Sequence, residues 1–395
     1  MAEESGVDRV TEVTTTSWLQ RLGQAIVGVL VGIVVVIGSG VLLFWNEGRA
    51  IKTAQGLTEG AGIVRSVSAD RIDPGNDRML IHVSGMLSAG GPVSDGDFAL
   101  KAESLRLLRQ VDMYQWKEET QTETRTKLGG GEERTTTYSY VRTWSDQPID
   151  STRFRETRGH TNPVMTYRSR EALAPGTHLG AFAVPDNLMR GFGTPRPLAA
   201  TEAQANALQI RIDKPVRVID GVLYAGRDPA QPAIGDIKVS FAEVPLQTAS
   251  IVAAQAGSSL APFPTRTGTT VELISAGAVP AAEMFKEAQE DNVTFTWVLR
   301  AVGAFVMFVG FALILRPLSV AADLIPFLGS LVGAGAGLVA MICTAVLAPL
   351  VIALGWLWYR PLLAVGIVIA GGAAAYGLIT LARRRVARKA SMVGA

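Results

Sequence analysis

The feature that most constrains this chain is a long stretch near its start that contains no charged residue. Residues 25–44 are dominated by Val, Ile, Leu and Gly, and about 20 such residues suffice to cross the hydrocarbon core of a bilayer. A cleaved signal peptide is the alternative, but its apolar region is shorter, and Trp45 to Arg49 does not form a small-x-small cleavage site. We therefore predict an N-terminal tail over residues 1–24 and an uncleaved transmembrane helix over residues 25–45.

Three further apolar segments lie near the C-terminus. They predict transmembrane helices over residues 297–315, 327–357 and 361–382. Arg300 lies at the edge of the first of these, where a long cation can reach the interface. Pro349 falls inside the second, so we expect that helix to tilt or kink.

The charged flanks predict the orientation of the spans. A basic tail over residues 383–395 follows the last span, so the positive-inside rule places the C-terminus in the cytoplasm. Four spans then put residues 1–24, with Arg21, on the same side, and residues 46–296 outside the cytoplasm. The basic residues of the tail are Arg383, Arg384, Arg385, Arg388 and Lys389.

Residues 46–296 have the composition of a folded domain. They contain 27 Lys+Arg and 30 Asp+Glu, a net charge of −3, which argues against nucleic-acid binding. The single cysteine, Cys343, lies in an apolar segment, so no disulfide and no cysteine-based metal site can form within the chain. We predict a β-rich α+β extracytoplasmic domain on a membrane protein with four transmembrane α-helices, one N-terminal and three C-terminal.

Alternation of apolar residues and turn signals predict the elements of this domain. A polar β-hairpin with a glycine turn is expected between Thr120 and Tyr140. Helices are expected over residues 55–61 and 281–290. The other expected strands cover residues 79–83, 105–116, 208–212, 217–219, 221–224 and 237–241.

The residue types needed for catalysis do not form a recognisable pattern. The three histidines, His82, His160 and His178, match no metal-binding spacing, and we find no phosphate-binding glycine loop or nucleophile elbow. We expect His82 to face a core or a sheet. The sequence therefore predicts no catalytic residues, no cofactor, no metal and no enzymatic activity. One hydrolase hypothesis stays open, with His160 acting beside Asp146, Asp150 or Asp186.

Two groups of residues are candidates for contacts in or at the membrane. Glycines at four-residue spacing let helices approach closely, either within one molecule or between subunits: Gly28, Gly32, Gly329, Gly333 and Gly337. Residues typical of a membrane interface flank the spans: Trp45, Asn46, Glu47, Gly48, Arg49, Trp356, Trp358, Tyr359 and Arg360. Glu47 and Arg49 could orient the domain against lipid headgroups, or form an ion pair that caps the first span.

Seven segments resemble a known family, in matching order along the chain. They cover residues 44–50, 111–116, 159–163, 235–241, 262–263 with the Ser/Thr-rich turn that follows, 326–329 and 355–362. The chain is similar in these segments to the transmembrane protein 43 (LUMA) family, and its composition is typical of a bacterial member. Within the segments, the residues we take as structural motif positions are Trp116, His160, Asn162, Pro163, Gly235 and Asp236.

The resemblance implies one N-terminal span, a large lumenal or periplasmic domain and three C-terminal spans. Together with the spaced glycines and the lack of a catalytic pattern, it favours a non-enzymatic multi-pass membrane scaffold that self-associates and organises protein complexes or membrane structure. Animal members lie in the endoplasmic reticulum and inner nuclear membrane. Because the composition is typical of a bacterial member, we expect this chain in the plasma membrane. The expected partners are membrane lipids, further copies of the chain, and unidentified membrane or periplasmic proteins, but no nucleic acid.

Three other functions stay open. The first is a lipid- or ligand-binding domain held at the membrane surface. The second is the membrane-bound hydrolase, and the third is a channel-like oligomer, although no polar stripe along the spans supports a pore.

Overall fold

The computed structural model describes residues 9–360. The predicted fourth span over residues 361–382 and the basic tail over residues 383–395 lie outside the described residues. The chain divides into two compact units. The first contains residues 9–15, Gly56–Arg125 and Glu132–Gln289, and the second contains Thr16–Gln55, Thr126–Gly131 and the chain from Glu290 onward.

Long helices dominate the second unit. In chain order the helices are α1 (Trp18–Ile63), α2 (Asp186–Met189), α3 (Glu202–Gln209), α4 (Ala281–Ala322) and α5 (Pro326–Tyr359). Within the described residues, α1, α4 and α5 are long and apolar enough to cross a membrane. They contain the predicted spans over residues 25–45, 297–315 and 327–357, but each helix extends beyond its span. Helix α5 continues through Pro349 without interruption.

Strands are the main secondary structure of the first unit. In chain order they are β1 (Arg9–Thr16), β2 (Arg65–Val67), β3 (Leu80–Ser88), β4 (Val93–Asp95), β5 (Leu100–Ala102), β6 (Ser104–Thr126), β7 (Glu132–Ser145), β8 (Arg170–Leu173), β9 (His178–Leu179), β10 (Phe182–Ala183), β11 (Arg196–Leu198), β12 (Val216–Ile219), β13 (Val222–Ala225), β14 (Ile237–Pro245), β15 (Thr248–Ala256), β16 (Ser259–Ala261), β17 (Phe263–Pro264), β18 (Thr270–Val271) and β19 (Leu273–Ala276). The prediction of a β-rich α+β domain is confirmed.

Two sheets carry the core of this unit. The first has the order β1-β7-β6-β14-β13-β12, with β8 on β6 and β11 on β14. Its central pair aligns Val239 with Val111 and Ile237 with Met113, and these apolar side chains pack into one core with Phe98. The second sheet has the order β19-β15-β16-β10-β9-β3-β2, and β3 also pairs with β15. Since β15 is buried over most of its length, it forms the centre of a second core.

Most predicted elements are confirmed, including the polar hairpin, which is the pair β6 and β7. The strand predicted over residues 208–212 is wrong, because this segment is the end of α3 and the turn after it. Thr201 and Gln204 form a capping box that starts the helix. Leu208 is buried on the inner face of the helix, whereas Ile210 is exposed, so the apolar alternation did not reflect a sheet.

Residues 9–16, the first that the structure describes, belong to the first sheet. Strand β1 pairs with β7, and Glu12 in β1 accepts a hydrogen bond from Arg155 at 3.0 Å. The strands of an open sheet pair within one aqueous compartment, because an open sheet edge does not occur in the hydrocarbon region of a bilayer. The placement of residues 1–24 and 46–296 on opposite sides of the membrane stays a prediction, and the pairing of β1 with β7 argues against it for residues 9–16.

Helix α1 begins beside the end of α4. Arg21 donates to Asp323 at 2.6 Å and to the carbonyl oxygen of Gly130 at 2.6 Å. Trp18 donates from its indole nitrogen to the carbonyl oxygen of Val320 at 2.8 Å. The turn of the polar hairpin is therefore held at the start of α1, in agreement with the pairing of β1 and β7.

Candidate functional site

A polar network joins α1, α4 and α5 near residue 47, and we name it the boundary network. It consists of Asn46, Glu47, Arg49, Asn292, Thr296, Arg300 and Trp356. At its centre, Glu47 is 1% exposed. Arg300 donates to both carboxylate oxygens of Glu47 at 2.7 Å, and Trp356 donates from its indole nitrogen at 2.7 Å. The Glu47 carboxylate on α1 thus binds one side chain from α4 and one from α5.

A second part of the network connects α1 and α4 alone. Asn46 is fully buried and donates to the carbonyl oxygen of Thr296 at 3.1 Å. Arg49 donates to the Asn292 side chain and to the Thr296 hydroxyl, both at 2.9 Å. The spacings i,i+3 on α1 and i,i+4 on α4 place these side chains on facing surfaces of the two helices.

This geometry corrects two expectations about the membrane interface. The expected ion pair between Glu47 and Arg49 is wrong, because Arg300 is the partner of Glu47. Arg300 does not extend freely to an interface either. Its side chain is 14% exposed, and its guanidinium lies 4.7 Å from the centre of the Trp297 ring. Helical geometry explains the difference, since Glu47 and Arg49 lie two residues apart and point to different sides of α1.

The other predicted interface residues surround this network. A side chain on Gly48 would collide with the Tyr359 ring, and a Cβ on Gly355 would lie 3.0 Å from the Cβ of Glu47, so both glycines allow α5 to pack closely. Arg360 lies 6.0 Å from the ring of Trp356. Large exposed tryptophans complete the group: Trp45, Trp297 and Trp358. Exposed indole rings are typical of a membrane interface.

The spaced glycines have different surroundings. A Cβ on Gly32 would lie 2.7 Å from the carbonyl oxygen of Gly310 in α4, and one on Gly329 would overlap Asp323. A Cβ on Gly333 would be in ordinary contact with Ser319 at 3.6 Å. Around Gly28 and Gly337, by contrast, the described residues leave open space. Packing within the molecule therefore explains Gly32 and Gly329, whereas no residue among 9–360 covers Gly28 or Gly337.

Two of the family motifs meet on β6 in the first unit. The side chain of Asn162 accepts from the backbone N–H of Trp116 at 2.7 Å and donates to the Trp116 carbonyl at 2.9 Å. The amide group thus takes the place of a neighbouring strand and fixes residues 159–163 against β6. No signal in the sequence other than the resemblance brings these two segments together.

His160 is enclosed by aromatic rings. It is 2% exposed, stacks on Tyr140 with ring centres 4.0 Å apart, and meets Trp116 edge-on at 4.8 Å. Burial and a hydrogen bond to Glu118 raise the pKa of Tyr140 to about 12, so Tyr140 stays neutral at physiological pH. These contacts give His160 a packing role.

The aspartates proposed as partners of His160 have other local roles. Asp150 accepts from the backbone and hydroxyl of Thr152, and these hydrogen bonds lower its pKa. Asp186 begins α2, and Asp146 is exposed. These surroundings give the hydrolase hypothesis based on His160 no support.

The third motif lies against the other two. Gly235 has a positive φ of 87°, and a Cβ there would lie 2.8 Å from Pro163, so only glycine fits without strain. The next residue, Asp236, is 2% exposed and accepts from Tyr224 and Lys214, both at 2.9 Å. Burial and Asp236 raise the pKa of Tyr224. The motif residues therefore form one structural junction.

One pair that the sequence did not indicate is Ser66 and His82. His82 is buried, as expected, and its Nε2 lies 2.9 Å from the carbonyl oxygen of Val279. Since a carbonyl only accepts, Nε2 carries the proton, and Nδ1 accepts from the hydroxyl of Ser66 at 3.1 Å. Ser66 is exposed in a cleft of about 500 Å³. The pairing of β2 with β3 brings the two residues side by side.

Among the described residues, no group of three His, Cys, Asp or Glu side chains could hold a metal ion. The arrangement of buried polar side chains is instead that of helix–helix and motif–motif junctions.

Comparisons with known proteins agree on one family. The sequence model described as "Transmembrane protein 43" matches residues 113–361. The chain is 33% identical to "Transmembrane protein 43" of Rattus norvegicus, covering 96% of each chain, and 33% identical to that of Homo sapiens, covering 94% of this chain and 93% of the human protein. It is 28% identical to the "Transmembrane protein 43 homolog" of Drosophila melanogaster over 87% of this chain and 91% of the fly protein. No solved structure matches.

Proposed function

Because the chain belongs to the transmembrane protein 43 family, we propose that it is a non-enzymatic membrane scaffold. In this proposal it self-associates within the bilayer and organises protein complexes or membrane structure. Its partners are lipids, further copies of the chain and other membrane proteins, and its compartment is the plasma membrane of a bacterium.

The observation that carries this proposal is the open surface of α5 around Gly337. Neither Gly335 nor Gly337 has a described neighbour within 4 Å of a would-be Cβ, and the adjacent Leu338 and Met341 are each 58% exposed. Small residues let two helices in a bilayer approach closely enough for van der Waals packing. The candidates for covering this surface are the predicted fourth span, over residues 361–382, and a second copy, which our proposal favours.

Disulfide crosslinking in native membranes tests self-association. With Cys343→Ser as the background, we expect Gly337→Cys to form a reducible dimer on mild oxidation. Val339→Cys is the matched control at nearly the same depth, since it lies about 200° around the helix, and we expect much less dimer from it. A monomer in both variants would contradict self-association through this surface and would favour coverage by the fourth span.

The boundary network favours the scaffold over a lipid-binding site built on Glu47. Both carboxylate oxygens of Glu47 are occupied by Arg300 and Trp356, and the side chain is enclosed by the three helices. A headgroup would have to displace these partners. The network therefore supports a role in holding α1, α4 and α5 in register.

A membrane-bound hydrolase is the second candidate, and one observation favours it. Ser66 and His82 have the geometry of a nucleophile and its base, with the base oriented by the carbonyl of Val279. In such a reaction Nδ1 of His82 would take the proton as the Ser66 oxygen attacks. A fluorophosphonate probe, which loses fluoride as the serine oxygen bonds to phosphorus, tests this directly.

For this candidate the expected result is labelling of wild type and of Ser68→Ala, the neighbouring-serine control. Labelling should be lost in Ser66→Ala and strongly reduced in His82→Gln. An unlabelled wild-type protein that is folded would remove the hydrolase candidate and leave the scaffold proposal untouched.

A further inference from the structure

A cleft that carries both positive and negative charge lies in the first unit, beside the end strand of the second sheet. Its volume is about 770 Å³, and its walls come from residues 190–196, from β19 and from the start of α4. We name it the edge cleft. None of the family motifs lies in it, so nothing in the boundary network or the motif junction accounts for its chemistry.

One wall of the edge cleft is an unpaired strand edge. Among the described strands, β19 ends its sheet and pairs with β15 alone. The N–H of Gly277 donates to the carbonyl of Thr248, and bonding alternates along an antiparallel ladder. The backbone groups of Ile274 and Ala276 therefore point away from β15, toward the cleft, where the described part of the chain offers them no partner.

The edge cleft also carries opposite charges from different elements. Arg190 follows the end of α2 and Arg196 begins β11, whereas Glu283 and Glu287 lie one helical turn apart on α4. All four are exposed, and among residues 9–360 none of their side chains has an ion-pair or hydrogen-bond partner. The two carboxylates would repel a simple anion, and the two guanidinium groups would repel a simple cation. An occupant that carries both charges avoids either repulsion.

A buried hydrogen-bond donor is the third observation about the edge cleft. The side-chain nitrogen of Gln247 is enclosed but has no hydrogen-bond partner within the described part of the chain, and Gln247 lines the edge cleft. A Cβ on Gly193 would collide with this nitrogen, and Gly193 has a positive φ of 75°. An unpaired buried donor is costly, so a carbonyl oxygen of an occupant would relieve it.

We propose that the edge cleft binds an extended peptide segment of a partner protein, which adds to β19 as a further strand. The backbone of the segment bonds to Ile274 and Ala276. Its acidic side chains face Arg190 and Arg196, and its basic side chains face Glu283 and Glu287. Strand addition of this kind derives its affinity from the main chain and its specificity from alternate side chains. The inference rests on the proposed scaffold function and supplies a site for its partner.

The test uses the full-length protein in lipid nanodiscs and a fluorescent peptide of four Glu-Lys repeats, acetylated and amidated. An extended chain of this sequence places its carboxylates on one side and its ammonium groups on the other. We expect saturable binding by fluorescence anisotropy. Methylation of alternate backbone nitrogens, which removes the donors needed for strand pairing, should weaken binding at least tenfold.

Charge reversal identifies the site. The variant Arg190→Glu/Arg196→Glu should lose at least tenfold in affinity, whereas Arg158→Glu/Arg227→Glu, which reverses two exposed arginines outside the cleft, should bind as wild type does. Equal thermal unfolding temperatures would show that the variants are folded. Absence of saturable binding to wild type, or binding that neither N-methylation nor charge reversal changes, would overturn the proposal.

The outcome of the peptide-binding test can be told apart from the outcome of the self-association test. If Gly337→Cys forms dimers but the peptide does not bind, the edge cleft inference fails and the scaffold proposal stands. If the peptide binds as expected but no dimer forms, self-association fails, and the edge cleft remains as a binding site.

Discussion

At the scale of single residues, Glu47 joins the three long helices α1, α4 and α5. Its carboxylate is buried and joined to Arg300 and Trp356. Removing one member of a buried ion pair leaves the other charge without compensation, at a cost of about 3–5 kcal/mol. An exposed ion pair contributes only about 0–1 kcal/mol.

We therefore expect Glu47→Ala to lower the free energy of unfolding in detergent by about 3–5 kcal/mol. The matched control is Glu12→Ala, which removes the more exposed pair with Arg155 and should cost at most about 1 kcal/mol. Replacing both partners, as Glu47→Leu/Arg300→Met, should restore part of the stability because no charge is then left unpaired. Equal losses for Glu47→Ala and Glu12→Ala would contradict the central role of this carboxylate.

At the scale of elements, periodicity identified the long helices and most strands because their patterns are long or their turns are marked. It failed at residues 208–212, where five alternating residues fit a strand and a helix end equally well, and the capping box at Thr201 decided the outcome. It also treated residues 25–45 and 55–61 as separate helices, whereas α1 is continuous from Trp18 to Ile63. Near the end of α1, Leu57 packs into a core with Leu80 and Val252, contacts that no local pattern encodes.

The spaced glycines also show, within single helices, what the sequence predicts and what packing decides. Identical four-residue spacing marked Gly28 and Gly32, yet only Gly32 lies against α4. Spacing defines which residues share a face, and the position of the neighbouring helix decides which of them is covered. The sequence therefore predicted the candidates for close packing, but could not separate packing within the molecule from packing between copies.

For the whole molecule, the pairing of β1 with β7 gives a sharp prediction about membrane topology. In the Cys343→Ser background, Val13→Cys and Ile210→Cys introduce exposed cysteines in β1 and after α3. We expect a membrane-impermeant maleimide to label both from the same side, because β1 and the rest of its sheet must share one aqueous compartment.

The measurement compares labelling in intact cells whose outer barrier is removed with labelling after the membrane is opened. The Cys343→Ser protein, which has no cysteine, is the control. Labelling of the two positions from opposite sides would support the positive-inside prediction for residues 1–24 and would show that β1 leaves the sheet in the membrane.

What the sequence alone determined is the part that depends on local composition: a membrane protein with long apolar helices, a β-rich region between them, and membership of a family through short motifs in order. Only the tertiary structure decided which residues meet. It paired Glu47 with Arg300 instead of Arg49, joined Asn162 to Trp116, and brought β1 into the sheet of the domain. The physical reason is that a buried polar group must find a partner, and that partner is set by the packing of elements far apart in the chain.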